Sequence, residues 1–197
     1  MYIYCDKVTQ DLDRGQMQYS LKSWAPRDSA IADLACQLQT DPDAGDRPWE
    51  RYISDGQDLL RGQEVAFERP PPETDRLFMN LGGEDVIEVG HPPPPDGVVY
   101  YSGRPSIRCG AIASGKPIVN EDQLRLEFAA RHQCVAVDTE FDQVLESIVG
   151  NRKESFAFIR GVADYLDGTK NPDWQPYCAL AAAALMKAIV ELLPATS

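Results

Sequence analysis

Short apolar segments alternate with helical patterns in the second half of the sequence. Residues 106–113 and 134–138 are predicted strands, and neither shows the strict polar–apolar alternation of a strand with one face in water. Between them, residues 121–132 carry Leu124 and Phe128 at helical spacing. Strands of this kind, separated by helices, are typical of a sheet that is covered on both faces. The pattern predicts an α/β fold, with a mainly parallel or mixed twisted sheet flanked by helices.

The remaining elements are predicted from the same periodicities and from two clusters of prolines. Strands are expected over residues 1–8, 16–21, 84–89, 98–102 and 155–163, and helices over residues 28–39, 47–60, 141–149 and 175–193. The prolines at 70–72 and 92–95 cannot lie inside helices or central strands, so we place both clusters in loops. A length of 197 residues favours one domain over two, and we expect a single domain over residues 1–197.

The sequence is strongly acidic, with 31 Asp and Glu residues against 19 Lys and Arg residues and a net charge of −12. Such a charge repels phosphate backbones and anionic lipid surfaces, so we expect no nucleic-acid partner and no membrane partner. No stretch of about 20 apolar residues is present, and no secretion signal is visible at residues 1–6. The five cysteines are odd in number and widely spaced, which favours reduced thiols and a cytoplasmic location.

Three loops follow predicted strands and are the places where a ligand could bind, at residues 113–119, 137–140 and 161–164. In open α/β sheets, ligands bind beyond the carboxyl ends of the strands. Glu140 and Asp164 stand in two of these loops, an arrangement expected if one acid donates a proton and the other orients a polyhydroxyl substrate. The alternative is that each acid caps the helix that follows it.

Other kinds of site find no support in the sequence. The two histidines, His91 and His132, have no ligand spacing around them, so we expect no metal centre. There is no GxSxG motif of a serine hydrolase, no P-loop and no GxGxxG dinucleotide motif. We therefore expect no metal and no nucleotide cofactor.

Four segments in sequence order carry a family resemblance. They are Thr74–Phe78 followed by His91-Pro92, the strand at residues 107–115 that ends in Ser-Gly, residues 136–140, and residues 159–177 with the alanine-rich helix after them. The run from about residue 67 to residue 193 resembles the nucleoside phosphorylase/nucleosidase family, which cleaves the N-glycosidic bond of nucleosides. Its closest likeness is to the branch that includes methylthioadenosine/adenosylhomocysteine nucleosidases.

The resemblance implies a role for several residues. Asp164 matches the residue that protonates a purine base at N7, and Glu140 matches the residue that holds the ribose hydroxyls. The implied substrate-binding residues are Ser114, Ile118, Val119, Asp138, Thr139 and Trp174. Among these, Ile118 and Val119 match positions that line the base pocket, and Trp174 matches an aromatic residue that closes over it. For Trp174 the alternative is a helix-entry residue that packs under the last helix.

Two departures from the family pattern concern the sugar site. Asp138 and Thr139 stand where the family usually has Glu and Met, so one side chain that reaches the ribose region is shorter and one apolar contact is lost. The N-terminal part of the family supplies a first strand, a glycine-rich phosphate loop and an acid that activates water. Nothing before Thr9 resembles these elements, so the resemblance implies an N-terminally truncated domain.

Three interpretations follow from this resemblance. The first is an enzyme that acts on a purine nucleoside, with inorganic phosphate as a candidate co-substrate. The second is a catalytically impaired relative that serves as a nucleoside-binding or protein-interaction module. The third is a fragment of a longer protein, in which case the absent N-terminal elements no longer count against an enzyme. The resemblance also implies a homo-oligomer, because members of this family often complete a pocket with a residue from a neighbouring subunit.

Overall fold

The computed structural model describes residues 1–10, 16–40, 47–82, 85–93, 103–139, 141–167 and 171–194. It has an α/β fold with a mixed four-stranded sheet flanked by helices, as the sequence predicts at this level. The chain divides into two compact units, one formed by Met1–Asp33 with Arg108–Ala157 and the other by Leu34–Ile107 with Phe158–Ser197. Within the described residues, no helix is both long enough and apolar enough to span a bilayer.

The strands and helices are numbered in chain order. The strands are β1 (Tyr2–Gln10), β2 (Met17–Trp24), β3 (Leu77–Gly82), β4 (Asp85–Val89), β5 (Ala111–Ser114) and β6 (Cys134–Asp138). The helices are α1 (Ala30–Thr40), α2 (Pro48–Leu60), α3 (Lys116–Asn120), α4 (Asp122–His132), α5 (Asp142–Gly150) and α6 (Trp174–Leu192). A short 3-10 turn occupies Pro72–Thr74, directly after the first proline cluster.

The first unit contains the four-stranded sheet, in the order β2-β1-β5-β6. β1 and β2 pair antiparallel, whereas β1, β5 and β6 are parallel. In the parallel register Ser114 faces Tyr4 on one side and Asp138 on the other, so the carboxyl ends of β5 and β6 lie level with each other. α3 packs against β1 and α4 against β6, around a core that includes Ile3, Cys5, Ala113, Ile118 and Phe128.

Helix boundaries in the first unit follow from local chemistry. α3 begins after Gly115, whose φ of +123° few other residues adopt and where a Cβ atom would collide with the Cys5 carbonyl group. α4 begins after Glu121, whose side chain accepts a hydrogen bond from the amide of Gln123 at 3.2 Å. It ends at His132, and the next residue, Gln133, caps it in the left-handed conformation, with φ of 52°.

The second unit is built on the packing of α2 against α6. Its core includes Trp49, Ile53, Tyr177, Ala184 and Ala188. The Tyr52 hydroxyl donates a hydrogen bond to the Glu191 carboxylate, and the Lys187 ammonium group lies 4.1 Å from the centre of the Tyr52 ring. β3 and β4 form a separate antiparallel pair, whose register runs from Leu77 opposite Val89 to Gly82 opposite Asp85.

Several predicted elements differ from those observed. The predicted strand at 155–163 is not a strand: among the described residues, its one sheet-like pairing is an isolated parallel bridge between Ser155 and Asp28. The predicted strand at 106–113 is shorter and begins at Ala111, and β3 was not predicted. The strand expected at 98–102 lies outside the described residues. The residues at 155–163 are half-buried or exposed, and an apolar run of this length does not by itself distinguish a strand from an irregular segment.

Candidate functional site

The carboxyl ends of β5 and β6 bring two predicted site residues together in the first unit. Ser114 and Asp138 end these neighbouring parallel strands and are paired in the register. Both are buried, Ser114 completely and Asp138 with 5% of its surface exposed. Because the two strands are parallel, their polar ends meet at one edge of the sheet, which is where ligands bind in open α/β folds.

Tyr2 completes this cluster, which we call the strand-end cluster (Tyr2, Ser114 and Asp138). The Tyr2 hydroxyl donates a hydrogen bond to Oδ1 of Asp138 at 3.2 Å, and the Phe141 amide donates to the same oxygen at 2.9 Å. Burial raises the pKa of Tyr2 to about 12, and the neighbouring Asp138 carboxylate adds to this shift. Tyr2 is therefore a neutral hydrogen-bond donor at any physiological pH.

The Ser114 hydroxyl differs from its two neighbours. It is close enough to the Tyr2 hydroxyl to lower the pKa of Tyr2, against the larger effect of burial. It does not reach hydrogen-bonding geometry with any group in the described part of the chain. A buried hydroxyl without a partner carries a free-energy cost of about 1 to 3 kcal/mol, which a ligand hydroxyl could remove.

The other predicted site residues of the first unit differ in their burial. Ile118 is completely buried in the core beside β1, whereas Val119 is half-buried. The carbonyl oxygens of both accept hydrogen bonds from the Arg125 guanidinium group, at 3.4 and 3.1 Å. Thr139 is exposed directly after β6. Glu140, the predicted ribose residue, lies outside the described residues.

Asp164 lies in the second unit, in the irregular segment before α6. It is half-buried, and its Oδ1 accepts a hydrogen bond from the Leu166 amide at 3.2 Å. Leu166 has φ of 54°, a conformation that is uncommon for a bulky residue. Asp173, not Asp164, occupies the N-cap position of α6. Asp164 thus caps a tight turn and no helix.

Two neighbouring contacts fix the position of this turn within the second unit. Asp167 is 8% exposed and accepts a hydrogen bond from the Phe78 amide at 2.9 Å. A Cβ atom at Gly161 would collide with the Cys178 carbonyl group, so glycine lets the segment lie directly against α6. The carboxylate of Asp164 is therefore presented from a backbone that is held on both sides.

Trp174 is the first residue of α6 and has several partners in the second unit. Its Nε1 donates a hydrogen bond to Oγ1 of Thr74 at 3.0 Å, and the Arg69 guanidinium group lies 5.2 Å from its ring centre. It also packs against the α2–α6 core. These contacts are those of the helix-entry residue that the sequence offered as the alternative, and they leave the ring half-buried.

A polar cluster that sequence reasoning missed lies beside Asp164 in the chain. The Tyr165 hydroxyl donates a hydrogen bond to Oδ1 of Asp75 at 2.7 Å. His91 Nε2 lies 3.0 Å from the carbonyl oxygen of Asp75 and 3.7 Å from its Oδ1. The His91 and Tyr165 rings have centres 5.4 Å apart. Asp75, His91 and Tyr165 all lie in the segments that carry the family resemblance, but their spacing in the sequence does not predict that they touch.

Metal ligation finds no basis in the described part of the chain, where no group of three or more His, Cys, Asp or Glu side chains could hold an ion. All five cysteines are free thiols. Comparison with protein-family models, with curated proteins and with solved structures gives no match for this chain.

Proposed function

We propose that this chain is a nucleoside phosphorylase-like protein that binds a purine nucleoside and cleaves its N-glycosidic bond. In this proposal Asp164 protonates the base and Glu140 holds the ribose. The order of the four sequence segments supports the family assignment. The observation that carries the proposal is the buried, unpartnered hydroxyl of Ser114 next to Asp138, at the edge of the sheet where ligands bind.

The chemistry of the strand-end cluster suits a ligand rich in hydroxyl groups. A sugar hydroxyl both donates and accepts hydrogen bonds, so it can use the Ser114 hydroxyl and a carboxylate oxygen of Asp138 together. A carboxylate near the sugar also stabilises the positive charge that develops on the ring, because glycosyl cleavage passes through an oxocarbenium-like state. The role of Asp164 rests on the resemblance alone: it matches the residue that protonates the leaving base, and general-acid catalysis of this kind contributes about 10²- to 10⁴-fold in rate.

A nucleoside-binding module without catalysis is the second candidate. One observation favours it: the same oxygen of Asp138 already accepts hydrogen bonds from Tyr2 and from the Phe141 amide. A carboxylate used in this way supports the fold. The two candidates share the ligand and differ in bond cleavage.

The experiment measures nucleoside binding and base release separately. Inosine, adenosine and methylthioadenosine are incubated with the protein, with and without inorganic phosphate, and the free base is quantified by chromatography. The proposal expects base release that Asp164→Asn reduces at least 100-fold. Asp173→Asn, an exposed carboxylate nearby in the chain, is the matched control and should leave release unchanged.

Three outcomes are informative. Binding without release supports the binding module and removes the enzyme interpretation. Release that survives in Asp164→Asn means that another group protonates the base. No binding of any of the three nucleosides at millimolar concentration contradicts both candidates.

The proposal extends to the setting in which the protein acts. A cytoplasmic location accords with the five free thiols, and the net charge of −12 disfavours polyanionic partners. A homo-oligomer is proposed on the resemblance alone. Light scattering coupled to size-exclusion chromatography measures the oligomeric state directly, and a monomer at all concentrations would contradict it.

A further inference from the structure

We propose that a second cavity, in the first unit and separate from the strand-end cluster, binds a small molecule through two adjacent phosphate groups. The cavity has a volume of about 440 Å³ and is lined by Ala25, Arg27, Val149, Arg152, Lys153 and Glu154. All six residues are exposed, so the cavity is an open groove that a ligand can enter from solvent. The proposed nucleoside function assigns no role to any of these six residues.

The lining is positively charged although the chain as a whole is acidic. Three cations against one acid leave a local charge of +2, whereas the whole chain carries −12. Glu154 is already paired with Arg27, with 3.5 Å between the charged groups. Arg152 and Lys153 form no ion pair with any of the described residues. An anionic ligand would meet two cations that no acid neutralises.

The end of α5 explains why two cations stand side by side. The Arg152 amide donates to the Val149 carbonyl at 2.9 Å and the Lys153 amide to the Ile148 carbonyl at 3.1 Å, which is the Schellman pattern of a helix C-terminus. The helix end contributes roughly half a negative charge. This is smaller than the net +2 of the side chains, so the cavity keeps its positive character.

Arg152 occupies a position in this pattern that usually belongs to glycine. Its φ is 55°, a left-handed conformation that costs a non-glycine residue about 1 to 2 kcal/mol. A guanidinium group held at such a cost suggests a use for it, because backbone strain concentrates at functional sites. Arginine also has the planar donor set that binds phosphate oxygens in pairs.

The opposite wall of the cavity is tied to the same segment by backbone hydrogen bonds. The Arg27 and Asp28 amides both donate to the Glu154 carbonyl, at 2.9 and 3.2 Å. An isolated parallel bridge joins Asp28 to Ser155. The two segments that supply the cations are therefore fixed relative to each other before a ligand arrives, which lowers the entropy cost of binding.

Three cations in one cavity suit more than one phosphate group. Charge-assisted hydrogen bonds from guanidinium and ammonium groups are the usual contacts to phosphate oxygens. The required chemistry is shared by inorganic pyrophosphate and by the diphosphate of a nucleotide. Ala25 and Val149 add a small apolar wall, and Val149 is 46% exposed.

Isothermal titration of the full chain tests this site, with sodium pyrophosphate, ADP and sodium sulfate as ligands at one low ionic strength. Arg152→Gly is the decisive variant, because it removes the guanidinium group while placing glycine at a left-handed position, so the fold is retained. We expect a loss of affinity of about tenfold or more for pyrophosphate. Gln133→Gly makes the same kind of backbone change at the end of α4, and Arg104→Gln removes a cation in the second unit.

Both control variants should bind pyrophosphate as the unmodified chain does. Equal affinity for pyrophosphate and ADP identifies the diphosphate group as sufficient, whereas tighter binding of ADP shows that the rest of a nucleotide adds contacts. The proposal is overturned if pyrophosphate does not bind at millimolar concentration, if sulfate binds equally well, or if Arg152→Gly leaves the affinity unchanged. In those cases Arg152 and Lys153 bind no phosphate ligand and interact only with the C-terminus of α5.

Discussion

The Tyr2 hydroxyl donates a hydrogen bond to Oδ1 of Asp138 at 3.2 Å, across 136 positions of sequence. The two residues lie on β1 and β6, and β5 lies between these strands. The bond therefore ties together three parallel strands at the edge that carries the strand-end cluster. It also restricts the orientation of a carboxylate that the proposed function assigns to the sugar.

Replacing Tyr2 with phenylalanine tests the contribution of this bond to stability. Tyr2→Phe keeps the ring and leaves the buried Asp138 with one donor fewer, so we expect a loss of about 1 to 3 kcal/mol in the free energy of unfolding. Urea titration measures it. Tyr4→Phe is the control on the same strand, because the Tyr4 hydroxyl has no hydrogen bond within the described residues. Equal effects of the two changes would contradict this role of Tyr2.

Alkaline pH should weaken the same interaction. Burial raises the pKa of Tyr2 to about 12 in the folded chain, whereas an exposed tyrosine has a pKa of about 10. Its contribution is therefore complete below pH of about 10 and is lost as the pH rises towards 12, because the unfolded chain releases the proton first. The difference in unfolding free energy between the unmodified chain and Tyr2→Phe should shrink between pH 8 and pH of about 11.5. A constant difference over this range would show that Tyr2 titrates normally.

Gly115 is expected to be intolerant of any side chain. Its φ is +123° and a Cβ atom would collide with the Cys5 carbonyl group, so Gly115→Ala should destabilise the first unit by roughly 2 to 4 kcal/mol. Gly150→Ala is the matched control, because a Cβ atom there would have none of the described atoms within 4 Å, so alanine should cost little. Thermal unfolding compares them, and similar melting temperatures would contradict the predicted collision.

The cysteines should differ in their reactivity towards alkylating reagents. Burial raises the pKa of Cys5, Cys134 and Cys178, so little of their reactive thiolate forms near neutral pH. Cys36 and Cys109 are half-buried. A short pulse of iodoacetamide at pH 8, followed by peptide mass spectrometry, should label Cys36 and Cys109 first. Early labelling of Cys5, which is completely buried, would mean that β1 opens readily.

The sequence predicts α4, α5 and β6 of the first unit well, because their signals are local, whereas it places α3 (Lys116–Asn120) in a loop. The predicted strand at 134–138 coincides with β6. The helix predicted at 121–132 differs from α4 by one residue at its start, and the helix predicted at 141–149 lies one residue before α5 at both ends. The segment at 155–163 is predicted as a strand because it is rich in apolar residues, but these residues are half-buried or exposed and form no strand. Apolar composition alone does not separate a strand from an irregular segment of this kind.

In the candidate site, too, some contacts could be predicted from the sequence and others could not. That Ser114 and Asp138 meet at one edge follows from parallel strands, so sequence reasoning could anticipate it. The contact of Tyr2 with Asp138 could not be anticipated, since it depends on which strand lies next to β5. The partners of Trp174 and the contact between Tyr165 and Asp75 depend likewise on how distant segments pack.

The pairing of β1 with β5 also has a consequence for the order in which the protein can fold during synthesis. Residues 2–4 leave the ribosome well before their parallel partners, residues 112–114. Until then β1 has only β2 beside it, and one of its edges stays open to pairing with other chains. Nascent chains that stall before residue 114 are therefore exposed to aggregation, and release of the later strands ends this vulnerable period.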